Sequence, residues 1–184
     1  MRDSKYFYDT QENVTDEGIQ YTFISEGRSD IFKVIEYVYV QDFLGKRLYN
    51  LGFGDYDVKN RVILDGAISN NGDHYRVFNT VLNTIPVFFE NYPNAIMLVQ
   101  GSDSRPEFVN NCKLTCTKKC SENECRNSDR RINLYRSYVD RNYDMLVKEY
   151  AFLGGQRGVD RHRDIENYQK GKKYDSVFLT KKEL

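Results

Sequence analysis

Runs of β-branched and aromatic residues fill the first part of the chain, and the first of them largely alternates between apolar and polar positions. The four runs are Ile19 to Ser25, Ile31 to Val40, Leu48 to Tyr56 and Val62 to Ser69. Such runs are typical of strands. The polar residues 26–30 form a turn between the first two, which are predicted to pair as a hairpin. Residues 1–18 are predicted to be an irregular arm.

The hydrophobic period lengthens to three or four residues after Asp73. Apolar residues recur at this spacing from His74 to Asn91, which predicts an amphipathic helix. Pro86 lies inside this segment and is expected to kink or split the helix near residue 85. The continuous apolar run Ala95 to Gln100 predicts a buried strand.

The rest of the chain adds one helix and one strand to this pattern. The predicted helix runs from Arg130 to about Tyr150, and the strand runs from Ser176 to Thr180. Residues 154–173, rich in Gly, Arg and Asp, are predicted to be a loop. The order ββββ-α-β-α-β predicts an α+β fold, with a mixed, mostly antiparallel sheet and helices packed on it. No linker interrupts the pattern, so residues 1–184 are predicted to form a single domain.

Composition is that of a folded protein. The chain has 184 residues, of which 40% are hydrophobic, enough for a core without disulfides or metals. No apolar run approaches the roughly 18 residues that span a bilayer, so no membrane partner is expected. The polar first twenty residues do not resemble a secretory signal peptide. A cytoplasmic location is therefore expected.

The formal net charge is zero, but the two signs are unevenly distributed. Residues 1–104 contain 9 Lys/Arg and 15 Asp/Glu, whereas residues 105–184 contain 18 and 12. A basic half can mark a surface that binds nucleic acid or another anion. The alternative is that the two halves simply attract each other within one domain.

All four cysteines lie in one short polar segment, residues 107–128. Cys112, Cys116, Cys120 and Cys125 are the set that a closed structural zinc site would use. A continuous helix would place Cys112 and Cys120 about 12 Å apart, so zinc requires a turn between Thr115 and Lys119. Disulfides and free thiols are the alternatives.

Two polar segments follow predicted strands: residues 70–73 are the first, and residues 101–105 together with the start of the helix at Arg130 are the second. Phosphate or carboxylate ligands commonly bind at such places, near helix N-termini. Arginine forks and hydroxyl groups suit such ligands. The ordinary alternatives are a turn with a helix cap for the first segment and a solvated helix face for the arginines. The candidate anion-binding residues are Asn70, Asn71, Ser102, Arg105, Arg130, Arg131, Tyr135 and Arg136.

Candidate catalytic residues are sparse. Asp55 and Asp57 lie two apart on one strand face, and paired carboxylates can hold a divalent metal. The first suspects for a nuclease or transferase are Asp55, Asp73 and Arg131. The chain has no P-loop, dinucleotide fingerprint or Gly-x-Ser-x-Gly elbow, so the catalytic residues remain unknown.

Six short motifs follow one another along the chain. They are Asn50-Leu51-Gly52-Phe53-Gly54-Asp55, Ser69-Asn70-Asn71-Gly72-Asp73, Tyr92-Pro93, Gly101-Ser102, Leu134-Tyr135-Arg136 and Gly171-Lys172-Lys173-Tyr174-Asp175 with Phe178. In this order they resemble an uncharacterised bacterial family common in Bacteroidetes, from about Ile19 onward. The resemblance implies a domain of unknown function. It also implies that the cysteine segment is an accessory insertion, because typical members have arginines almost directly after the Gly-Ser turn.

Three functions are compatible with these features. The first is binding of a nucleic acid or other phosphate-rich partner through the basic half, for instance in a toxin–antitoxin or defence system. The second is an enzyme of nuclease or transferase type that uses the loops at the strand ends. The third is a protein–protein interaction module whose docking insertion is held by zinc.

Overall fold

The computed structural model describes residues 6–57, 59–60, 62–64, 71–118, 120–121, 125–157 and 163–182. Nine strands and three α-helices lie within these residues, and the predicted α+β class with mostly antiparallel strands is confirmed. The chain divides into two compact units, Met1–Ala95 and Ile96–Leu184. The assignment of one domain to the whole chain stays a prediction. No helix in the described ranges is long and apolar enough to cross a bilayer.

The first unit is an antiparallel sheet with one helix. Its strands pair in the order β1-β2-β3-β4-β5, and the sheet is followed by helix α1. The elements are β1 (Gln11–Thr15), β2 (Gly18–Ser25), β3 (Ile31–Phe43), β4 (Lys46–Asp57), β5 (Val62–Leu64) and α1 (His74–Asn91). The four predicted strands are therefore present as β2 to β5, although residues 65–69 of the last lie outside the described residues.

Strand β1 corrects the predicted irregular arm. Gln11–Thr15 pairs antiparallel with β2, from Gln11 opposite Thr22 to Thr15 opposite Gly18. All five residues of β1 are exposed. A strand without a buried face carries no apolar alternation, because its pairing rests on backbone hydrogen bonds. The sequence pattern therefore could not reveal it.

A tight hairpin joins β3 to β4 and lengthens both strands beyond their predicted ends. Leu44 and Gly45 form the connection, with φ angles of 51° and 74°. Positive φ at both positions matches the twist of a two-residue hairpin. The residues that extend the strands flank this turn and are mostly exposed. Because they are not part of the apolar pattern, the strands were predicted to be shorter than they are.

Helix α1 covers the sheet face that carries the aromatic core of the first unit. Phe88 is fully buried and stacks on Tyr37 of β3, with ring centroids 4.3 Å apart. It also meets Tyr49 of β4 at 5.4 Å. The helix continues through Pro86 as one element, so the expected split is absent. Pro86 is exposed, while buried Val81 and Phe88 hold the turns on either side against the sheet.

The second unit is a four-stranded antiparallel sheet, in the order β6-β9-β7-β8, with two helices. A 3-10 turn, Ser102–Ser104, separates β6 from α2. The elements are β6 (Ile96–Gln100), α2 (Pro106–Thr115), α3 (Arg130–Leu146), β7 (Tyr150–Arg157), β8 (Arg163–Asn167) and β9 (Ser176–Lys181). Helix α3 ends four residues earlier than predicted, because Tyr150 begins β7.

Strands β7 and β8 replace part of the loop predicted for residues 154–173. Gly154 and Gly155, which suggested a loop, lie within β7 opposite Val177 and Ser176 of β9. A Cβ atom at Gly154 would lie 2.3 Å from the ring of Tyr174. Glycine is therefore required there by the close approach of an aromatic ring, a common reason for glycine inside a strand.

Candidate functional site

The first unit contains a buried polar cluster, which we call the Lys33 cluster: Tyr8, Ser25, Lys33, Asp55 and Asp73. Lys33 lies on β3 opposite Asp55 of β4 and is only 4% exposed. The two side chains form an ion pair. The Lys33 ammonium group also lies 5.6 Å from the centre of the Phe53 ring. The catalytic suspect Asp55 is thus neutralised by a buried cation.

Asp73, the second catalytic suspect, belongs to the same cluster. It directly precedes α1, and its Oδ2 accepts hydrogen bonds from the Tyr8 hydroxyl (2.8 Å) and the Ser25 hydroxyl (2.6 Å). Lys33 acts on the Asp73 carboxylate through its charge. The structure therefore brings two of the three suspects together around one lysine. The third, Arg131, lies in the other unit.

The pKa of Asp73 reflects two opposing effects. Burial of the carboxyl group raises its pKa, but the hydrogen bonds from Ser25 and Tyr8 outweigh burial and hold it below the ordinary value of 3.8. A carboxylate with a lowered folded-state pKa stabilises the fold above its unfolded-state pKa. That stability is lost as the pH falls through the folded-state value.

We therefore expect Asp73→Asn to flatten the loss of stability at acid pH. Urea unfolding of the full chain, measured from neutral pH down to about pH 3, gives the free energy of unfolding at each pH. The variant should be less stable near neutral pH and should lose less stability on acidification. Asp30→Asn removes an exposed carboxylate of the same unit and is the control. Equal slopes for Asp73→Asn and the unsubstituted chain would contradict the expectation.

Asn71, a candidate anion-binding residue, is engaged by the turn between β2 and β3. Its amide nitrogen donates to the carbonyl oxygens of Ser25 (3.2 Å) and Ser29 (2.9 Å). Its Oδ1 accepts from the backbone N–H of Arg28 (3.1 Å). The contact is close, because a Cβ at Gly27 would lie 2.5 Å from Asn71 Cγ. Asn71 thus fixes this turn. Asn70 lies outside the described residues.

The start of α3 carries the most ordered part of the second candidate segment. Arg131 donates from Nη1 to Ser102 Oγ (2.9 Å), and its backbone N–H donates to Asp103 Oδ2 (3.1 Å). Asp103 is 6% exposed. A carboxylate at this position satisfies a free N–H of the helix and complements the helix dipole. The N-terminus of α3 was predicted to bind an external anion, but the Asp103 carboxylate of the same chain already binds there.

The other candidate residues of the second unit divide into engaged and exposed groups. Arg136 donates from Nη1 to the Tyr174 carbonyl oxygen (3.0 Å). Burial raises the pKa of Tyr135 to about 12, against the opposing charge of Arg131. Arg105 and Arg130 are exposed. In the ranges that the structure describes, their guanidinium groups form no ion pair or hydrogen bond.

The four cysteines lie near one another, Cys112 in α2 and the other three between α2 and α3, and none of them forms a disulfide. Helix α2 ends at Thr115, and Cys116 has an extended backbone (φ −73°, ψ 125°). The helix therefore does not continue through Cys116, which is a condition that zinc binding requires. Among the described residues, however, no three His, Cys, Asp or Glu side chains form a ready-made metal-binding group. Zinc binding stays a prediction.

Three residues of the Lys33 cluster were not among the sequence candidates: Tyr8, Ser25 and Lys33. A signal was available for Lys33, because it alternates with Ile35 and Tyr37 on the buried face of β3. Tyr8 and Ser25 had no comparable signal. Ser25 ends a strand, and Tyr8 lies in the polar segment before β1.

Comparison with known proteins identifies one family. A sequence model of one protein family, described as a family of unknown function (DUF6934), matches residues 3–108. No curated protein and no solved structure matches the chain. The matched residues include the Lys33 cluster and the 3-10 turn, and they end before Cys112. The predicted resemblance to an uncharacterised family is confirmed, and the bacterial type of that family stays a prediction.

Proposed function

The chain belongs to this family of unknown function, and we propose from its own residues that it binds a nucleic acid or another phosphate-rich partner. The proposed surface lies in the second unit, from Arg105 to Arg130. We call its three exposed arginines, Arg105, Arg126 and Arg130, the arginine set. The observation that carries the proposal is that these guanidinium groups are exposed and form no hydrogen bond or ion pair with other described residues.

Free surface guanidinium groups suit phosphate because their planar donors match two phosphate oxygens at once. A structural role would instead pair them with nearby carboxylates. The charge of the chain supports a partner of negative sign, since residues 105–184 carry 18 Lys/Arg against 12 Asp/Glu. Lys118 adds a further exposed cation to the same segment.

The placement of the arginine set follows from the start of α3. The contacts of Arg131 with Ser102 and Asp103 join the beginning of α3 to the 3-10 turn. Arg105 directly follows that turn, and Arg130 is the first residue of α3. Internal contacts of Arg131 therefore hold the chain where Arg105 and Arg130 project. Arg131 acts as a positioning residue in this proposal.

The enzymatic alternative has less support from the geometry. Asp55 is ion-paired with Lys33, and Asp73 accepts two hydrogen bonds from Tyr8 and Ser25. A carboxylate that binds a catalytic metal needs free oxygen atoms directed at the ion. One oxygen of each suspect, Asp55 Oδ1 and Asp73 Oδ2, is already engaged within the first unit.

Binding is tested by fluorescence anisotropy with short labelled RNA, single-stranded DNA, duplex DNA and inorganic polyphosphate over a range of salt concentrations. We expect binding to at least one probe that weakens as salt rises, because phosphate contacts release bound counterions. The triple variant Arg105→Gln, Arg126→Gln, Arg130→Gln should bind more weakly. For a single strand, its plot of log affinity against log salt should be shallower by about 2.

The matched control removes the same charge from the same unit. Lys148, Lys170 and Lys173 are exposed and lie outside the proposed surface, so the triple Lys→Gln variant should retain most of the affinity. Equal losses in both triple variants would show a general charge effect and would reject the arginine set. No binding of any probe at low salt would reject the function itself.

A further inference from the structure

The end of α2 removes the geometric obstacle to a shared metal ion. Cys112 is on the helix, whereas Cys116 follows its last residue and has an extended backbone. A pocket beside the end of the helix is lined by Cys116, Cys120 and Cys125. The Asn127 side-chain amide donates to the sulfur atoms of both Cys112 and Cys116. The four cysteines are therefore grouped in one place instead of being spread along a helix.

Several N–H groups of the surrounding chain donate to these sulfur atoms. The Asn127 amide nitrogen lies 3.2 Å from Cys112 Sγ and 3.4 Å from Cys116 Sγ. The backbone N–H of Arg126 donates to Cys120 Sγ at 3.4 Å. Donors aimed at sulfur stabilise thiolate, which is the form that binds metals, and they orient the ligands.

The thiol pKa values agree with this arrangement in part. The Lys118 backbone N–H is the main cause that holds the pKa of Cys116 below its usual range. At Cys112 the Asn127 amide lowers the pKa, but burial and the neighbouring thiols of Cys125 and Cys116 outweigh it and raise the value.

We propose that Cys112, Cys116, Cys120 and Cys125 bind one structural zinc ion. Four sulfur ligands favour a soft or borderline cation over magnesium or calcium, and they leave no open position for catalysis. No three of these side chains surround one point among the described residues, so zinc must draw the sulfur atoms together to bonds of about 2.3 Å. Each thiol that becomes a ligand releases its proton to solvent.

Zinc at this position would fix the segment that links α2 to α3. That segment carries Lys118 and Arg126, so the ion would also fix part of the basic surface. The zinc site does not depend on the proposed function, because metal content and phosphate binding are measured separately. A chain that holds zinc and binds no phosphate probe would retain this inference and lose the other.

The test is metal analysis of the full chain purified under reducing conditions without chelator, followed by dialysis with one equivalent of zinc. We expect one tightly held zinc per chain and four thiols that react with a thiol reagent only after chelation. Cobalt in place of zinc should give the sulfur-to-cobalt charge-transfer absorption and the strong visible bands of a tetrahedral site. Cys116→Ser and Cys125→Ser should each lose the metal and these bands.

The control is Ser121→Ala, which changes an exposed residue next to Cys120 and should retain one zinc per chain. Circular dichroism checks that each variant is folded, and the stoichiometry of the unsubstituted chain is decisive if a variant is not. Four freely reactive thiols and no zinc uptake after reduction would overturn the proposal. A mass lower by two hydrogens per bond in non-reduced protein, without zinc uptake after reduction, would establish disulfides instead.

Discussion

Phe88→Ala is expected to destabilise the first unit by about 3–5 kcal/mol, the usual cost of emptying a large buried aromatic position. The Phe88 side chain has no exposed surface and stacks on Tyr37 at 4.3 Å. Its ring also lies 5.1 Å from Phe89 and 5.3 Å from Tyr92. The substitution therefore leaves a cavity and also removes aromatic contacts worth about 0.5–1.5 kcal/mol each. Urea unfolding followed by far-ultraviolet circular dichroism measures the loss.

Two further variants separate packing from helix effects at this position. Glu90→Ala changes an exposed residue of α1 and should alter the free energy of unfolding by no more than about 0.5 kcal/mol. Phe88→Leu keeps an apolar side chain and should cost less than Phe88→Ala. If alanine at position 88 cost no more than alanine at position 90, α1 would not pack on the sheet as described.

Lys33→Met should be about as costly, at roughly 3–5 kcal/mol, for an electrostatic reason. Lys33 and Asp55 have side chains that are 5% and 13% exposed, and they neutralise each other. Removal of the lysine leaves the Asp55 carboxylate partly buried without its cation, and Asp73 loses a favourable charge nearby. The free energy of unfolding at neutral pH, from urea titration, measures the effect.

A double variant distinguishes loss of the ion pair from loss of packing. Lys33→Met combined with Asp55→Leu removes both charges, and it should recover much of the stability lost in Lys33→Met, because an apolar pair can replace a buried ion pair. Lys59→Met, at an exposed position of the same unit, is the control and should change little. A double variant as unstable as the sum of its single variants would contradict the pairing.

Most of the secondary structure could be predicted because burial of one face produces a local period. The helix from His74 to Asn91 was predicted with the observed bounds, since its apolar stripe is continuous. Strands β2 to β4 were predicted in position for the same reason. The elements that were missed lack a clear local signal: β1 is exposed along its length, and β7 contains Gly154 and Gly155. The pairing of β1 with β2 and of β7 with β9 shows that they are strands.

The sequence allowed many residues of the candidate sites to be identified, but it did not show which of them contact one another. Asp55 and Asp73 were identified from turn and strand-end chemistry, whereas the lysine between them was not. Arg131 was identified as a cation near a helix start, but its engagement by Ser102 and Asp103 depends on residues almost thirty positions earlier. The cysteine segment was recognised from composition, and the turn at Cys116 required the structure.

The amino-acid sequence alone determined the α+β class, the strands with a buried face, helix α1 and the uneven distribution of charge. All of these depend on residues within one turn or a few strand positions of each other. The tertiary structure alone decided which polar groups meet. Lys33 meets Asp55 across 22 residues, and Tyr8 meets Asp73 across 65. Such partners are set by strand register and helix packing, and a local pattern carries no information about a side chain that becomes a neighbour only when the sheet has formed.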